Sequence, residues 1–497
     1  MRKIGLFNIG RLGLVKSAGK AKTDISKVIE KWIPKHMVFW YDMSKPVDTY
    51  SQNFNDWRSH PSVNADVIIT STSFVITRFA TLNDTVKCYI PDQTKNFPGM
   101  KVEVKGIVDG QELYWGYSAN VKLVNITQDG TYDIPPLGTV NDNLSFRNGN
   151  IVGACNITIT QLPSGQSVPT NEILKANPYL QDHSGNNRPL KLNNFLFAAM
   201  SGVGGYEYNW LDSALFITYL SGARGDGTIT DNTITINNVK VSSGVIETRV
   251  SSPSKKYKVR VTGITSNETL RYVIYGDTSL GELATIIFDM KKDGEYELPA
   301  STYSATYNMK WQVIAASYPH TCNITIEQIP SYPNALVTDG VDDYGQVQNL
   351  QQGVKVLFYT CNNFRLSQIL YDQRKVGYDK IQSSYFSIFT EANTIAYNAR
   401  NVDGKTYIDG VLNETTIADN LLGKKTIITI INSSANSERT GKPSFFSTYN
   451  NLGYFANLAF YNSIGFDSVP TKQNDGFTEQ DLIDYYIPKA IVTITVV

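Results

Sequence analysis

The chain has 497 residues, which at roughly 150 residues per domain is too long for one ordinary domain. Only 18% of residues are charged, and 45 basic side chains balance 45 acidic ones, so global charge names no nucleic-acid partner. No apolar run of about 18 residues occurs, so no membrane-spanning helix is expected, and 30 tyrosines among many Thr, Asn and Gly point to short strands and turns.

The chain opens on a basic segment. Residues 1–36 carry nine lysines and arginines, Arg2, Lys3 and Arg11 among them, against Asp24 and Glu30. The stretch MRKIGLFNIGRLGLV begins like a secretory leader, but Asn8 and Arg11 interrupt its apolar run and no small-residue cleavage site follows, so it is expected to be retained. TDISKVIEKWI (Thr23 to Ile33) sets Ile25, Val28, Ile29, Trp32 and Ile33 on one helical face, with Thr23 as N-cap and Pro34 as the stop. An isolated helix of about eleven residues is marginal in water, so this face needs a cover. That cover is expected from sister chains or another protein of a larger assembly, and residues 1–36 are read as an assembly anchor.

FWYDMSK (Phe39 to Lys45) follows, and then the chain repeats itself. CNITITQLPS at Cys155–Ser164 returns as CNITIEQIPS at Cys322–Ser331, changing only Thr to Glu and Leu to Ile. Upstream, DGTYDIP from Asp129 answers DGEYELP from Asp293, KVEVKGI from Lys101 answers KVRVTGI from Lys258, and LYWGYS from Leu113 answers RYVIYG from Arg271. Each element alternates apolar and polar letters, and Asp-Gly supplies a turn. Residues 64–165 and 228–331 are therefore read as two copies of one small antiparallel sandwich; a solenoid would need at least about three units.

Between the copies lie LQDHSGNN (Leu180 to Asn187) and the glycine-rich MSGVGGYEYNW. After the second copy, NALVTDGVDDYG leads into GVKVLFYT, YFSIFT, TIAYNA, KTYIDGVL, KKTIITIIN and YFANLAFYN, all strand-like. VDGKTYIDG reads as a hairpin with Asp403-Gly404 as its turn. FTEQDLIDYYIPKA closes as a short helix, with Thr478 as N-cap, Asp481 as its capping partner and Pro488 as the stop.

Chemical signatures are sparse. Cys88, Cys155, Cys322 and Cys361 lack metal spacing, and the twin positions of Cys155 and Cys322 suggest that each packs within its own copy. His36, His60, His183 and His320 lie far apart and read as structural. Neither a nucleophile elbow nor a phosphate loop occurs, and the acid signature of jelly-roll glucanases is missing. Asp339, Asp342 and Asp343 crowd one turn, offering hard oxygens to calcium, but turn formation explains them as well. RGD at Arg224 to Asp226 is read as a chance tripeptide. No catalytic residue, cofactor or metal ligand is assigned.

FWYDMSK, LQDHSGNN, NALVTDGVDDYG, VDGKTYIDG and the closing LGYFANLAFYNSIGF…FTEQDLIDYYI together resemble a LamG/concanavalin-like jelly roll. The forms are similar to those in virion proteins of gut bacteriophages of the crAss-like group and related prophages. The resemblance implies an all-β chain in which 37–63, 166–227 and 332–497 form one discontinuous jelly roll, with the two copies inserted at its loops; the alternative is beads in a row. It further implies a virion structural protein on the particle surface, a head (capsid) fibre subunit or a tail appendage. Such a subunit would be homo-oligomeric, trimers being frequent, with capsid or other virion proteins as partners and glycan contacts through exposed Tyr, Trp and Asn. No enzymatic activity, nucleic acid or membrane enters this reading. The competing class is a secreted or cell-surface carbohydrate-binding protein of a gut bacterium, which would carry a leader or lipobox.

Overall fold

A computed structural model describes residues 19–492 outside a set of loops, the longer of them 60–65, 89–96, 138–143, 207–215, 249–255, 275–285, 300–308, 374–385, 396–403, 433–443 and 447–454. The chain is mostly β, and its sheets are antiparallel. Among the described residues each repeat copy has a core of its own, and a host sandwich has another.

The two copies have the same strand order. In the first, one sheet runs Gly130–Ile134, Met100–Lys105, Gly153–Leu162, Ser73–Phe79, Asp66–Ile69. The second sheet runs Trp57–Ser59, Thr85–Cys88, Leu144–Asn148, Leu113–Tyr117, Val121–Ile126. The other copy repeats this as Gly294–Leu298, Tyr257–Thr262, His320–Gln328, Thr233–Val239, Gly225–Ile229 over Phe216–Thr218, Ile246–Thr248, Met309–Ile314, Thr269–Ile274, Ile286–Met290. The CNITI strand is central to its sheet in both. Strand side chains alternate, so Ile157 and Ile159, like Ile324 and Ile326, enter the core together, and all four are fully buried.

Two boundaries move. Trp57–Ser59 and Phe216–Thr218, assigned by sequence to the host, are edge strands of the first and second copies. Strands of three residues are too short to show an alternation. The internal alignment also shifts by one: Leu113 matches Leu270, not Arg271, because Trp115 and Tyr272 hold the same register against Phe146 and Trp311. The aromatic pair has exchanged sizes across the ladder, Trp115 on Phe146 at 4.8 Å in one copy and Tyr272 on Trp311 at 5.0 Å in the other. Such a swap conserves volume, which is how a close-packed core tolerates change. Gly106 and Gly263 are twins too. Both have φ near +90°, and a Cβ there would lie 2.0 Å from Asn156 O or 1.9 Å from Asn323 O, so neither position accepts a side chain.

The host is built from three separated stretches. Its larger sheet contains Gly202–Val203, Leu336–Val337, Leu458–Phe466, Val356–Asn363, Lys425–Asn432, Gly404–Ile408 and Val411–Asn413, with Met37–Asp42 also pairing Leu458–Phe466. The smaller sheet runs Tyr179–Leu180, Leu190–Asn193, Tyr344–Val347, Ser444–Phe445, Ile369–Gln373, Phe386–Phe389. Phe39, Tyr41, Leu190, Leu357, Tyr359, Phe445 and Phe460 fill the space between them. The hairpin turn is Asp409-Gly410, not Asp403-Gly404. Ile408 pairs Val411, and Asp409 and Gly410 both have positive φ (48° and 86°), as a tight two-residue hairpin requires. Gly404 instead begins the strand, and Asp403 lies outside the described residues.

Each copy joins the host through paired chains. Val47–Thr49 pairs Gly165–Ser167 at the first junction. At the second, Ser331 N–H donates to Gly205 O and Tyr332 N–H to Gly204 O, both at 2.9 Å, continuing the ladder between Gly202–Val203 and Leu336–Val337. A short helix that sequence did not suggest, Asn171–Ala176, follows the first junction, with Thr170 Oγ1 accepting from Ile173 N–H at its N-terminus.

Two helices cover part of the outer face of the larger sheet. Gly19–His36 begins four residues before Thr23 and runs through Pro34; Glu479–Val492 runs through Pro488. Neither proline is the stop expected of it. Tertiary contacts hold both helices past their prolines: Asp467 N–H donates to His36 O at 3.0 Å, and Tyr486 and Ile487 pack in the cluster between helix and sheet. Thr478 does cap the second helix. Its Oγ1 accepts from Asp481 N–H at 3.2 Å while Asp481 Oδ2 accepts from Thr478 N–H at 2.8 Å, a reciprocal pair.

Candidate functional site

The apolar face read as an anchor is seated on its own chain. Ile29 is 1% exposed and Trp32 5%, packed with Val356, Phe358, Phe466, Phe477, Leu482 and Ile483. Trp32 Nε1–H donates to Asp475 Oδ1 at 3.0 Å, and its ring stacks on His36 at 4.5 Å, whose Nδ1 lies 3.0 Å from Asp467 Oδ1. Ile25 and Ile33 flank this cluster half-buried, and Val28 is 39% exposed. The helix needs a cover, and the host sandwich supplies one. This corrects the expectation that sister chains or an assembly partner must do so, and it joins residues 19–36 to the host. Arg2, Lys3 and Arg11 lie outside the described residues.

Two buried aspartates hold the opening elements of the host. Asp182 Oδ1 accepts from Trp40 N–H and Ser184 N–H, and its Oδ2 from Arg188 N–H. In the DGVDDYG turn, Asp343 Oδ1 accepts from Ser201 Oγ–H and its Oδ2 from Asp339 N–H, each at 2.9 Å. Ligand atoms of Asp339, Asp342 and Asp343 lie within 4.8 Å of one another. Burial pushes the Asp343 carboxyl up to about 7, its bond from Asp339 N–H opposing the rise. Of the Asp343 oxygens, Oδ2 serves the turn itself and Oδ1 reaches Ser201, while Asp339 Oδ1 accepts from Val341 N–H. The cluster ties two stretches of chain together.

Elsewhere the sequence-level candidates find ordinary roles. Cys155 and Cys322 are free thiols whose Sγ atoms point to equivalent carbonyls, Ile76 O and Ile236 O, both at 3.5 Å. Gly225 and Asp226 of the RGD tripeptide open a strand, and Asp226 accepts from Asn238 Nδ2–H. His320 sits 2.6 Å from Glu268, whose side chain is 2% exposed. The matching residues of the first copy are Gly153 and Gln111. Gln111 Oε1 accepts from Val108 N–H as Glu268 Oε2 accepts from Thr265 N–H.

The part of the larger sheet beyond the helices carries a set of residues that sequence reading missed. Leu357, Tyr359 and Cys361 enter the core, so Val356, Phe358, Thr360 and Asn362 face outward by alternation. Val356 and Phe358 meet the helices. Past them, Thr360 Oγ1–H donates to Asn462 Oδ1 at 2.8 Å, and Asn362 stands beside Lys425 and Ala459 in register. Asn362 is 8% exposed, and its Oδ1 is buried with no hydrogen-bond donor among the described residues. Lys425 Nζ lies 3.6 Å from the Tyr461 ring centroid, and burial brings its ammonium down to about 8, with Asp42 opposing. Tyr461 packs with Tyr332 and Phe364 on Ala335, Val337 and Ala459, and the Tyr332 and Phe364 rings are 4.7 Å apart. An aromatic cluster, a half-buried cation and a buried acceptor thus lie near one another on this sheet.

No protein-family model and no curated protein matches the chain. Among solved structures it is similar, at 8% identity and a TM-score of 0.12, to oxalate decarboxylase of Bacillus subtilis, over 59% of this chain and 78% of that one. It is similar to vicilin from hazelnut, Corylus avellana, at 8% identity and TM-score 0.11, over 55% and 86%. For procruciferin, an 11S globulin from Brassica napus, the identity is 9% and the TM-score 0.10, over 61% and 87%. Superpositions this poor assign neither family nor activity.

Proposed function

We propose that the chain is a structural protein of a bacteriophage particle, a head (capsid) fibre subunit whose LamG-like jelly-roll host carries two modules outward for contact with surface glycans. The observation that supports this is the pair of junctions. Each module leaves and rejoins the host through adjacent paired chains, so a folded unit is displayed without breaking the host sheets. Duplicated sandwiches displayed from one scaffold suit repeated contact better than turnover. The helix Gly19–His36 belongs to the host in this reading, and attachment falls to the basic arm ahead of it, with Arg2, Lys3 and Arg11. Oligomerisation, as a trimer, would bring several such displays together.

The test is to find the protein in purified particles by mass spectrometry and to place it on the head by antibody-gold labelling. Removing residues 1–18 is expected to leave the melting profile unchanged while abolishing incorporation. Absence of the full chain from particles of any phage whose genome encodes it would overturn the reading.

A further inference from the structure

We propose that the far end of the first module binds a neutral sugar residue through adjacent hydroxyls, in a cleft between loops 106–112 and 127–129. The inference rests on the reading of this protein as a glycan-contacting one and gives that contact a place and a chemistry. Topology sets the place. The ten-residue strand Gly153–Leu162 returns toward the host, where Gly165–Ser167 pairs Val47–Thr49, so Gly153 lies about 30 Å from that end of the strand. Lys105, in register near Thr158, leads out toward the Gly153 end, and Leu113, paired with Asn148 and Ile126, leads back from it. The loops between them stand at the end of the module away from its attachment. The cleft there measures about 570 Å³, inside the roughly 300–1,000 Å³ range of small-molecule sites. Its lining is polar: Asp109, Gln111, Glu112, Thr127, Gln128 and Asn150.

The frame of this cleft is held by side chains reaching across it. Asn150 Oδ1 accepts from Glu112 N–H and its Nδ2–H donates to Gly110 O, both at 2.7 Å. Gln111 Oε1 accepts from Val108 N–H at 3.0 Å, and Asp129 Oδ1 from Ile107 N–H at 2.8 Å. Glu112 Oε1 takes the Lys122 ammonium, leaving Oε2 over. Asp109, Thr127 and Gln128 are exposed, and among the described residues their side chains make no hydrogen bond or ion pair. Val108 and Val152 stand 63% and 62% exposed at the same end. The second module keeps the frame and changes the rest. Asp293 Oδ1 accepts from Ile264 N–H at 2.8 Å, the twin of the Asp129 bond. In register, however, Val108 and Asp109 become Thr265 and Ser266, and Thr127 and Gln128 become Lys291 and Lys292. A fixed scaffold whose loop side chains reverse charge is the arrangement by which loops carry recognition. A neutral sugar answers the first module's set. Asp109 and Glu112 Oε2 accept from its hydroxyls, the Gln111 and Gln128 amides donate to its oxygens, and its C–H face covers Val108. A uronic acid sets a like charge against Asp109, and a simple cation leaves the amides and the valine unanswered.

The experiment is a titration of the full chain at neutral pH with the methyl glycosides of glucose, galactose and mannose, N-acetylglucosamine, D-glucuronate and methylamine, read by saturation-transfer NMR. At least one neutral sugar is expected to saturate below about 10 mM and to bind at least about tenfold tighter than glucuronate or methylamine. Asp109→Ala and Gln128→Ala should each weaken that sugar at least about fivefold with an unchanged melting profile, both side chains being exposed. Thr127→Lys combined with Gln128→Lys, which brings the second module's residues to the first, should abolish binding. Lys291→Ala combined with Lys292→Ala should leave it unchanged. If no neutral sugar saturates, if glucuronate or methylamine binds equally, or if the Asp109 and Gln128 variants bind as the parent does, the assignment fails. In the last case a glycan contact stands and its place is wrong. Particle incorporation, scored separately with the same variants, reports on the virion reading alone and should not change.

Discussion

Two buried carboxylates respond to pH in opposite directions. The Asp343 carboxyl is raised from 3.8 to about 7, so its folded form prefers the proton. Its stabilising contribution is complete below pH 3.8 and is lost as pH rises toward 7. Asp343→Asn should flatten that loss, because an amide can accept from Asp339 N–H and donate to Ser201 Oγ. Asp343→Ala should cost about 1–3 kcal/mol at any pH by stranding both partners. Thermal melts of the two variants from pH 4 to 8 separate the cases. Glu268 lies the other way. Burial works against its charge, but bonds from Thr265 and His320 hold the carboxyl below its ordinary 4.5. Its contribution is present above pH 4.5 and is lost as pH falls below it. The second module should therefore lose stability in acid relative to the first, and Glu268→Gln, which installs the first module's residue, should remove that difference in acid melts followed by hydrogen exchange. Glu268 does not stand out among the 45 acidic residues of the sequence, and Asp343 shows there only as one of three aspartates in a turn, with nothing to mark it as the buried one. Burial selects them, and burial is a property of the fold.

At the scale of elements, the amphipathic helix was legible and its cover was not. The spacing of Ile25, Ile29, Trp32 and Ile33 shows a face that must be buried, but the burying surface is built from residues more than 300 positions later. Pro34 and Pro488 mislead for a related reason: local rules stop the helix there, and packing carries it on. Trp32→Ala should destabilise the host by about 3–5 kcal/mol, the range for emptying a buried aromatic site, while leaving both modules folded. A deletion through residue 36 should therefore unfold host structure that deletion of 1–18 leaves intact, which circular dichroism melts of the two truncations would show. The acceptor at Asn362 is hidden from sequence for the same reason as the helix cover. Asn362, Lys425 and Tyr461 meet only across three strands, and CNNF by itself reads as an unremarkable strand end.

For the whole molecule, the duplication was plain because two sandwiches under the same packing demands kept the same letters at core and turn positions. Their short edge strands, Trp57–Ser59 and Phe216–Thr218, carry no comparable signal, and so the first boundaries fell inside the modules. Joining residue 49 to residue 165 by a short linker should leave a host that still melts cooperatively, because the excised module has its own core. The junctions also govern how the molecule bears load. At the first, an antiparallel ladder of only three residues on each side closes the insertion, and both chains leave in the same direction. A pull on the module relative to the host opens that ladder one rung at a time, from the module side, whereas the strands inside each sheet must slide past one another along their length. Tension on a module is thus met first by a soft pivot that can open and re-pair, and the folded units on either side are spared until the pivot is fully extended.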